Sequence, residues 1–357
     1  MKETYIIAEA GVNHNGSEAL AIEMIDVAKQ AGANAVKFQM FHADTLTTKH
    51  AEQAEYQKKA FSQEKTQYHM LQELELTNES FQRLKAYAYQ VNIDFIITPF
   101  DLESLVFISE VLQLPILKIG SGDVTHGPLL LASARSEKEI ILSTGMSTLA
   151  EIEMALKVLA FGLTEKTEFP TQAKLDNIFV LPETQRLLQE KVKLLHCTTE
   201  YPAPIAEINL KAIDTLKAAF GLVAGFSDHS IGIEASLAAV ARGAQIIEKH
   251  FTLDKSLIGP DHAASLNCDE LTTMVKSIRN IEKMLGDGRK CPMPSEMKNI
   301  NIARRSLVAN HVIDIGEVFS PKNIGIKRPC QGLSPMKYWE TLGKTAQKNY
   351  REDEVIL

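Results

Sequence analysis

Residues 222–261 read LVAGFSDHSIGIEASLAAVARGAQIIEKHFTLDKSLIGPD and decide the fold. The pattern predicts two short buried strands, 222–229 and 245–252, separated by a helix of small residues, 234–242. Each predicted strand carries a histidine near its end. If the two strands are parallel neighbours, both imidazoles emerge at the same end of one sheet.

These two histidines, His229 and His250, are candidate metal ligands. Neutral imidazoles that converge beside carboxylates, here Asp228 and Asp261, suit a divalent transition metal. Either histidine alone is more simply interpreted as a hydrogen-bonded residue at a strand end. The pair on matching strand ends, with GPD close behind, favours the metal site.

The bulk composition of the 357 residues is that of a globular protein. Apolar residues make up 45% and charged residues 23%, so a sizeable core can be buried. A net charge of −7 gives no reason to expect nucleic acid or an anionic membrane as a partner. An anionic small-molecule substrate remains compatible, because the clusters of positive charge are local.

The four cysteines are scattered without a CxxC pair, which argues for a reducing compartment rather than a disulfide framework. The amino terminus enters a predicted strand directly and lacks the layout of a signal peptide. No apolar run approaches the roughly 18 residues that a membrane helix needs. We therefore expect a cytoplasmic protein.

Short apolar runs alternate with amphipathic helical stretches up to about residue 285. Near-continuous apolar strands between helices indicate a parallel sheet covered on both faces. An open doubly wound sheet is the alternative, but no GxGxxG follows the first strand. Eight strands predict an α/β fold with a closed (β/α)8 TIM barrel; they span residues 5–10, 35–40, 94–99, 116–121, 139–144, 192–198, 222–229 and 245–252.

Two connections are longer than a barrel needs. Residues 41–77 follow the second strand, and a connection of that length predicts a functional lid. Residues 162–191 precede the sixth strand, on the side opposite the catalytic loops, and predict a surface excursion without chemistry.

The sequence pattern changes after the predicted barrel. Residues 1–286 are predicted to form the barrel and 287–300 a linker containing Gly, Pro and Lys. Residues 301–357 show short β runs broken by turns, which predict a small second domain. A domain of this size has only a marginal core of its own, so we expect it to pack against another domain, in its own chain or in another chain.

Polar residues recur at the predicted carboxyl ends of the strands, where barrel enzymes place their active sites. A random scatter would have placed some at the amino ends. These residues are Glu9, Lys37, Gln39, Thr98, Lys118, Ser121, Asp123, Ser143, Thr198, Thr199, Tyr201, Ser227, His229 and His250.

Two lysines with hydroxyls and glycine-containing loops suit a phosphate, or a carboxylate plus a phosphate. One alternative pairs Lys37 and Lys118 with Glu9 and Glu248 in a buried ionic network, which does not exclude ligand binding. Another makes one lysine a Schiff-base nucleophile of a pyruvate aldolase. That chemistry needs no metal, so the two histidines count against it.

Two further histidines have simpler interpretations. His14, in Asn-His-Asn-Gly after the first strand, is either part of a turn before a helix capped by Ser17 or a ligand contact. His196 lies within the sixth predicted strand and is interpreted as a hydrogen-bonded interior residue.

Together these motifs resemble the sialic acid synthase family, which includes N-acetylneuraminate and N,N'-diacetyllegionaminate synthases. The resemblance runs nearly end to end. It implies a barrel followed by an antifreeze-like (SAF) domain, and condensation of phosphoenolpyruvate with an N-acetylated mannosamine-type sugar, releasing phosphate. The motifs are EAGVNHNGS, VKFQ, TPFD, KIGSG, LSTGMST, LLHCTTEYPAP, GFSDHS, EKHFTLD, GPDHAAS and a late KRP.

The resemblance implies roles for individual residues. His229 and His250 would hold Mn2+ or Mg2+ to polarise the open-chain sugar aldehyde. Gln39 would contact the sugar, and Glu9, Asp123, Tyr201 and Asp261 would contact the sugar or handle protons. The phosphoenolpyruvate contacts would be Lys37, Thr98, Lys118, Ser121, Ser143 and Ser227.

The resemblance also implies a domain-swapped homodimer, in which Arg328 reaches into a partner's barrel and binds the sugar's acetamido group. Three positions depart from the family pattern: Asp123 where Glu is frequent, Thr199 where Asn occurs, and Cys330 in RPCQG where RPGNG is common.

Several functional alternatives stay open at this stage. The acceptor is either N-acetylmannosamine or 2,4-diacetamido-2,4,6-trideoxymannose, and either Glu9 or Asp123 activates the attacking water. A pyruvate-dependent Schiff-base aldolase and a non-catalytic sugar-binding barrel are the competing functions.

Overall fold

The computed structural model describes residues 3–52 and 66–357. The chain divides into two compact units, Met1–Gly286 and Asp287–Leu357. Each unit is described by itself.

The first unit is a closed barrel of eight parallel strands in the order β1 to β8, with β8 pairing back to β1. The predicted TIM barrel is therefore confirmed, and each predicted strand is found with its ends within two residues of the expected ones. The strands are β1 Tyr5–Gly11, β2 Ala35–Met40, β3 Asp94–Pro99, β4 Ile116–Ile119, β5 Glu139–Ser143, β6 Val192–Cys197, β7 Val223–Asp228 and β8 Ile246–His250.

Alternation along the strands builds the barrel interior in layers. One layer is an apolar cluster that includes Ile7, Ile96, Ile141, Leu195 and Ile246. Two residues further along each strand, the inward positions become polar and form the floor of the site. The outward positions pack against the helices in the main hydrophobic core.

Helices cover the outside of the barrel, and several begin at side-chain caps. Ser17 caps the first helix, which ends at Gly32 in the left-handed region. Thr148 and Asn267 form capping boxes with the glutamates three residues later. The longer helices of this unit are Glu18–Ala31, Asn78–Gln90, Gly127–Arg135, Leu149–Thr164, Ala212–Phe220, Glu234–Ala241 and Cys268–Leu285.

The two long connections contain helices of their own. The predicted lid, 41–77, includes Ala43–Leu46 and Gln67–Leu74, while its residues 53–65 lie outside the described part of the chain. The excursion 162–191 contains Gln172–Phe179 and Pro182–Lys191. A shorter helix, Leu102–Val106, follows β3.

The second unit is small and has its own core. It contains the helix Pro294–Ala303, the antiparallel strands β9 Ser306–Ala309 and β10 Ile324–Lys327, and the short helix Tyr338–Thr341. Its buried core includes Leu307, Ile313, Phe319, Tyr350 and Ile356. The segment 287–300, predicted as a linker, contains most of the helix Pro294–Ala303, because Pro at its first turn and Glu296 favour helix initiation.

None of the helices in the described residues is long and apolar enough to cross a membrane.

Candidate active site

A cavity of about 450 Å3 opens at the carboxyl ends of the barrel strands. The predicted site residues that line it are Glu9, Lys37, Gln39, Thr98, Lys118, Ser121, Ser143, Tyr201, Ser227, His229, His250 and Asp261. The barrel topology explains this convergence, since inward positions at the same height of parallel strands must meet around the axis.

The two histidines lie side by side in the cavity, with ring centroids 5.6 Å apart. His229 Nδ1 lies 2.8 Å from the carbonyl oxygen of Thr198. Because a carbonyl oxygen can only accept, this hydrogen bond requires the proton to be on Nδ1. The lone pair of neutral His229 is then on Nε2, which lies 3.1 Å from the Tyr201 hydroxyl. A backbone carbonyl that fixes the tautomer in this way is common behind metal-binding histidines.

His250 is buried, and its Nδ1 has no hydrogen-bond partner among the described residues. The nearest carboxylate oxygen, Oδ2 of Asp261, lies 3.8 Å from this nitrogen. Burial, with the neighbouring His229 adding to it, holds the pKa of His250 well below its usual range. The imidazole is therefore neutral at physiological pH and able to donate a lone pair.

The described residues contain no group of three or more His, Cys, Asp or Glu side chains placed to hold a metal ion. The two imidazoles nevertheless fit a cation that takes two protein nitrogens and completes its coordination with water or substrate oxygens. The orphaned Nδ1 of His250 is the observation that favours such a ligand.

Asp228 does not join this site, contrary to the interpretation made from the sequence. It follows Ser227 on β7 and points outward, where its Oδ2 lies 3.1 Å from Lys249 Nζ in a pair without solvent exposure. Ser230 and Ser236 also donate hydrogen bonds to its carboxylate. The alternation of side chains explains the difference, since neighbours of the inward-facing Ser227 and His229 must face outward.

The floor of the cavity is a network of two lysines and two carboxylates. Lys37 Nζ lies 2.7 Å from Glu9 Oε2 and 3.7 Å from Glu248 Oε2, and Lys118 Nζ lies 3.5 Å from Glu248 Oε1. The buried ionic network considered as an alternative is thus present. It also lines the cavity, so both lysines remain available to an anion there.

Burial and neighbouring charges act differently on three of these groups. It raises the pKa of Glu9, although the neighbouring Lys37 opposes the shift. Burial favours the neutral form of Glu248 as well, but the positive charges of Lys118 and Lys37 outweigh it. The pKa of Glu248 is therefore lowered to about 2. Burial lowers the pKa of Lys118. Glu248 is therefore the fixed negative charge of the network, and Glu9 is the carboxyl group best able to take up a proton.

Hydroxyl groups surround the lysines. Lys37 Nζ donates to Thr98 Oγ1 at 3.1 Å and Lys118 Nζ to Ser143 Oγ at 2.8 Å. Ser227 Oγ donates to Glu248 Oε1 at 2.7 Å. Ammonium and hydroxyl donors in one place suit phosphate or carboxylate oxygens.

The Ser121 hydroxyl depends on a glycine in the neighbouring loop. Its Oγ accepts a hydrogen bond of 2.9 Å from the Gly145 backbone. A Cβ on Gly145 would lie 2.9 Å from this oxygen and still closer to Thr199 Oγ1. Glycine is therefore required at 145 for the two loops to approach each other.

Of the candidate proton-handling and sugar-binding residues discussed next, Gln39, Tyr201 and Asp261 line the cavity, whereas Asp123 does not line it as described. Gln39 donates to Glu9 at 3.2 Å, and the Tyr201 ring packs on His229 with centroids 4.1 Å apart. Asp261 lies at the cavity, and burial raises its pKa to about 6. Asp123 is absent from the described residues lining the cavity, and burial raises its pKa also to about 6.

Arg328 and Cys330 belong to the second unit. The Arg328 side chain is exposed, directly after β10, and the Cys330 backbone donates to the carbonyl of Asn301 at 2.8 Å.

The other two histidines have structural contacts. His14 is buried in the predicted turn, where its Nδ1 accepts from the Gly16 backbone at 3.1 Å, and Ser17 caps the following helix. His196 stacks on Phe226 and its Nε2 lies 2.6 Å from the Ile208 carbonyl, which confirms it as a hydrogen-bonded residue.

Sequence reasoning missed two kinds of site residue. Cys197, whose Sγ lies 3.6 Å from His229 Nδ1, shares the inward face of β6, and the period-two pattern could have found it. Leu46 and Leu71 line the cavity from the long connection, and nothing in the strand pattern signals them.

A closed parallel barrel with imidazoles, lysines, carboxylates and hydroxyls gathered at one mouth defines a barrel enzyme. Comparison with known proteins agrees with this class and identifies the family. Residues 24–290 match the NeuB family and residues 304–357 match the SAF domain. The chain belongs to the NeuB family and is a synthase with a C-terminal SAF domain.

The relatives are similar over nearly their whole length. The N,N'-diacetyllegionaminic acid synthase of Campylobacter jejuni is 50% identical over 100% of this chain and 99% of that relative. The enzyme of the same name from Legionella pneumophila is 40% identical over 99% of this chain and 93% of its own. The solved N-acetylneuraminic acid synthetase of Leptospira borgpetersenii is 35% identical, with a TM-score of 0.67, over 84% of this chain and 90% of that chain.

Proposed function

We propose that this enzyme condenses phosphoenolpyruvate with 2,4-diacetamido-2,4,6-trideoxymannose, giving N,N'-diacetyllegionaminate and phosphate. The observation that carries the proposal is one cavity with two lysines on its floor and two adjacent histidines. The names of the two relatives favour this acceptor over N-acetylmannosamine.

Phosphoenolpyruvate binds at the lysines. Lys37 and Lys118 grip its carboxylate and phosphate, and the hydroxyls of Thr98, Ser121, Ser143 and Ser227 donate to the remaining oxygens. The two lysine charges are already balanced by Glu9 and Glu248, so an incoming anion favours protonation of one carboxylate. Glu9 is that group, because burial raises its pKa.

His229 and His250 are the residues that would hold a divalent cation, Mn2+ or Mg2+. Such a cation would supply Lewis-acid polarisation of the aldehyde oxygen of the open-chain sugar. The Thr198 carbonyl keeps His229 in the required tautomer. Gln39, Tyr201 and Asp261 orient the sugar around the aldehyde.

The reaction forms a carbon–carbon bond and a carbon–oxygen bond to water, and it breaks the carbon–oxygen bond to phosphate. The methylene carbon of phosphoenolpyruvate attacks the aldehyde carbon, and the aldehyde oxygen takes up the proton that Glu9 holds. Water adds to the former enol carbon and gives its proton to Glu9, which is ionised again, or to Asp123. The tetrahedral intermediate then expels phosphate by cleavage of the carbon–oxygen bond, its hydroxyl proton passes to the phosphate, and a ketone remains.

The enzyme works as a homodimer. Residues 1–286 form the catalytic barrel, and residues 301–357 carry Arg328 to the acetamido group in the partner's barrel, with 287–300 connecting them. Strongly exposed apolar side chains at the catalytic rim, including Met146, Ile205, Ile231 and Ile258, support an interface there.

The test is phosphate release from phosphoenolpyruvate with each of the two candidate sugars and added Mn2+. We expect release with the diacetamido sugar, its loss with EDTA and its recovery with Mn2+. Trapping of the chain by borohydride with pyruvate, together with activity that survives EDTA, would instead support a Schiff-base aldolase. Sugar binding without phosphate release would support a non-catalytic barrel.

A further inference from the structure

The cavity is chemically divided into two sides. The charged and hydroxyl-bearing side chains described above lie at the floor and at the carboxyl ends of the strands. Above the ends of β2 and β3, Thr47 and Gln67 line the cavity together with Leu46, Leu71 and Phe100, and the last three are only partly buried. We call these three residues the apolar wall.

The apolar wall has a packed support behind it. Val12, Phe41, Met70 and Leu74 form a buried hydrophobic cluster against which the three wall residues pack. This cluster joins the two short helices of the long connection to the loops that follow β1 and β2. The wall is therefore a fixed part of the barrel mouth.

Polar contacts also tie the two short helices to each other. The Tyr68 hydroxyl donates to Asp44 at 2.8 Å, and the Ala43 backbone donates to Glu75 at 2.6 Å. Thr47, at the edge of the wall, donates to Gln67 at 3.0 Å. The Thr47 hydroxyl proton is therefore already engaged within the protein.

The apolar wall does not suit phosphoenolpyruvate, which is anionic and has lysines and hydroxyls to bind it on the other side. It therefore faces the second substrate. An apolar surface at that place stabilises a methyl group and disfavours a hydroxyl group, which would lose its hydrogen bonds to water.

We propose that the apolar wall, through Leu46 and Leu71, selects an acceptor sugar that carries a methyl group rather than a hydroxymethyl group at the carbon farthest from the aldehyde. This inference rests on the proposed function and deepens it. It assigns the preference for a deoxy sugar to side chains of the long connection rather than to the charged residues of the barrel.

The test uses two acceptors that differ in a single oxygen atom, 2,4-diacetamido-2,4,6-trideoxymannose and its 6-hydroxy counterpart. We expect the wild-type kcat/KM to favour the deoxy sugar by about tenfold to a hundredfold, the range over which an apolar pocket rejects an added hydroxyl. Leu71→Gln and Leu46→Gln should each reduce this ratio to about threefold or less, mainly through KM for the sugar.

Leu102→Gln is the matched control, because Leu102 is a 45% exposed leucine on the helix after β3 and does not line the cavity as described. Its ratio should equal that of the wild type. Circular dichroism and melting temperatures establish that each variant folds, and having two wall variants keeps the test decisive if one does not.

Equal use of both sugars by the wild type, or a wall variant that lowers kcat/KM for both sugars by the same factor, would overturn the assignment while leaving the proposed function intact. Absence of phosphate release with either sugar in the wild type would overturn the proposed function itself, and the assignment with it.

Discussion

At the scale of single residues, the site depends on which polar atoms are satisfied. The Nδ1 of His229 has the Thr198 carbonyl as its acceptor, whereas the Nδ1 of His250 has no hydrogen-bond partner among the described residues. Buried polar atoms without partners are uncommon in folded proteins. The unpartnered nitrogen of His250 is therefore the feature that most directly supports a role of this side chain in binding a ligand.

Asp123 provides a prediction about stability and pH. Burial raises its pKa from 3.8 to about 6, so the folded protein holds this proton more tightly than the unfolded chain. Ionisation then destabilises the fold as the pH rises through this range, and the penalty is complete above pH 6. We expect the stability of Asp123→Asn relative to the wild type to rise by about 2 kcal/mol from pH 4 to pH 8.

Urea unfolding of both proteins at the two pH values measures this difference. A difference in unfolding free energy that stays constant with pH would show that the Asp123 carboxyl titrates normally.

Gly145→Ala tests the close approach of two loops in the site. The added methyl group would collide with Thr199 and displace the Ser121 hydroxyl. We expect kcat/KM for phosphoenolpyruvate to fall by about tenfold to a hundredfold, since displacements near 1 Å can have such effects. Gly127→Ala is the control, because Gly127 does not line the cavity as described and a Cβ there meets nothing within 4 Å. Equal losses for the two variants would contradict the explanation.

The sequence predicted which strand residues face the cavity, for a physical reason. Strand alternation and barrel closure place Lys37, Lys118 and Ser227 together without any knowledge of loop geometry. The prediction that Asp228 joins the site was wrong, because residues adjacent in a strand, such as Asp228 and His229, face opposite sides of the sheet. The orientation of Asp123 depends on the short turn after β4, whose conformation the strand pattern does not encode.

At the scale of elements, the ends of β7 and β8 are held together behind the histidines. Asp228 and Lys249 are direct partners in the strand register, and their side chains form an ion pair on the helix side. Each of them is adjacent in sequence to one of the two histidines. The pair thus fixes the spacing of the strands that carry His229 and His250.

Lys249→Met tests this role of the ion pair. The change leaves the Asp228 carboxylate buried without its countercharge, so we expect a loss of about 3–5 kcal/mol in unfolding free energy. Lys348→Met, which breaks an exposed pair with Glu354, is the control and should cost less than about 1 kcal/mol. Similar losses in the two variants, measured by urea unfolding, would refute the structural role of the buried pair.

The elements were predictable to different degrees. Barrel strands have strong apolar runs, and all eight were located from the sequence. The apolar wall could not be predicted, because Leu46 and Leu71 lie 25 residues apart on short helices whose packing depends on tertiary contacts. The helix Pro294–Ala303 was missed because its polar, exposed composition resembles that of a linker.

At the scale of the whole molecule, the proposed dimer predicts complementation between two inactive variants. His229→Ala disables a barrel, and Arg328→Ala disables the arm that serves the partner's barrel. A hybrid dimer of the two variants keeps one site in which both residues are intact. Because half of randomly paired dimers are hybrids, we expect about a quarter of wild-type activity on co-expression.

Phosphate release by the co-purified mixture measures this recovery, and each variant alone gives the baseline. No recovery in verified hybrid dimers would mean that Arg328 serves its own chain or has no part in the site.

The central claim is that His229 and His250 together bind one divalent cation beside the lysine floor. Calorimetric titration of the metal-free protein with Mn2+ tests it most directly, with His229→Ala and His250→Ala as variants. His196→Ala is the control, because His196 is hydrogen-bonded to the Ile208 carbonyl and stacked on Phe226. We predict one Mn2+ per chain in the wild type and the control, and affinity at least about a hundredfold weaker in each of the two variants. Unchanged Mn2+ affinity in either folded variant would contradict the claim.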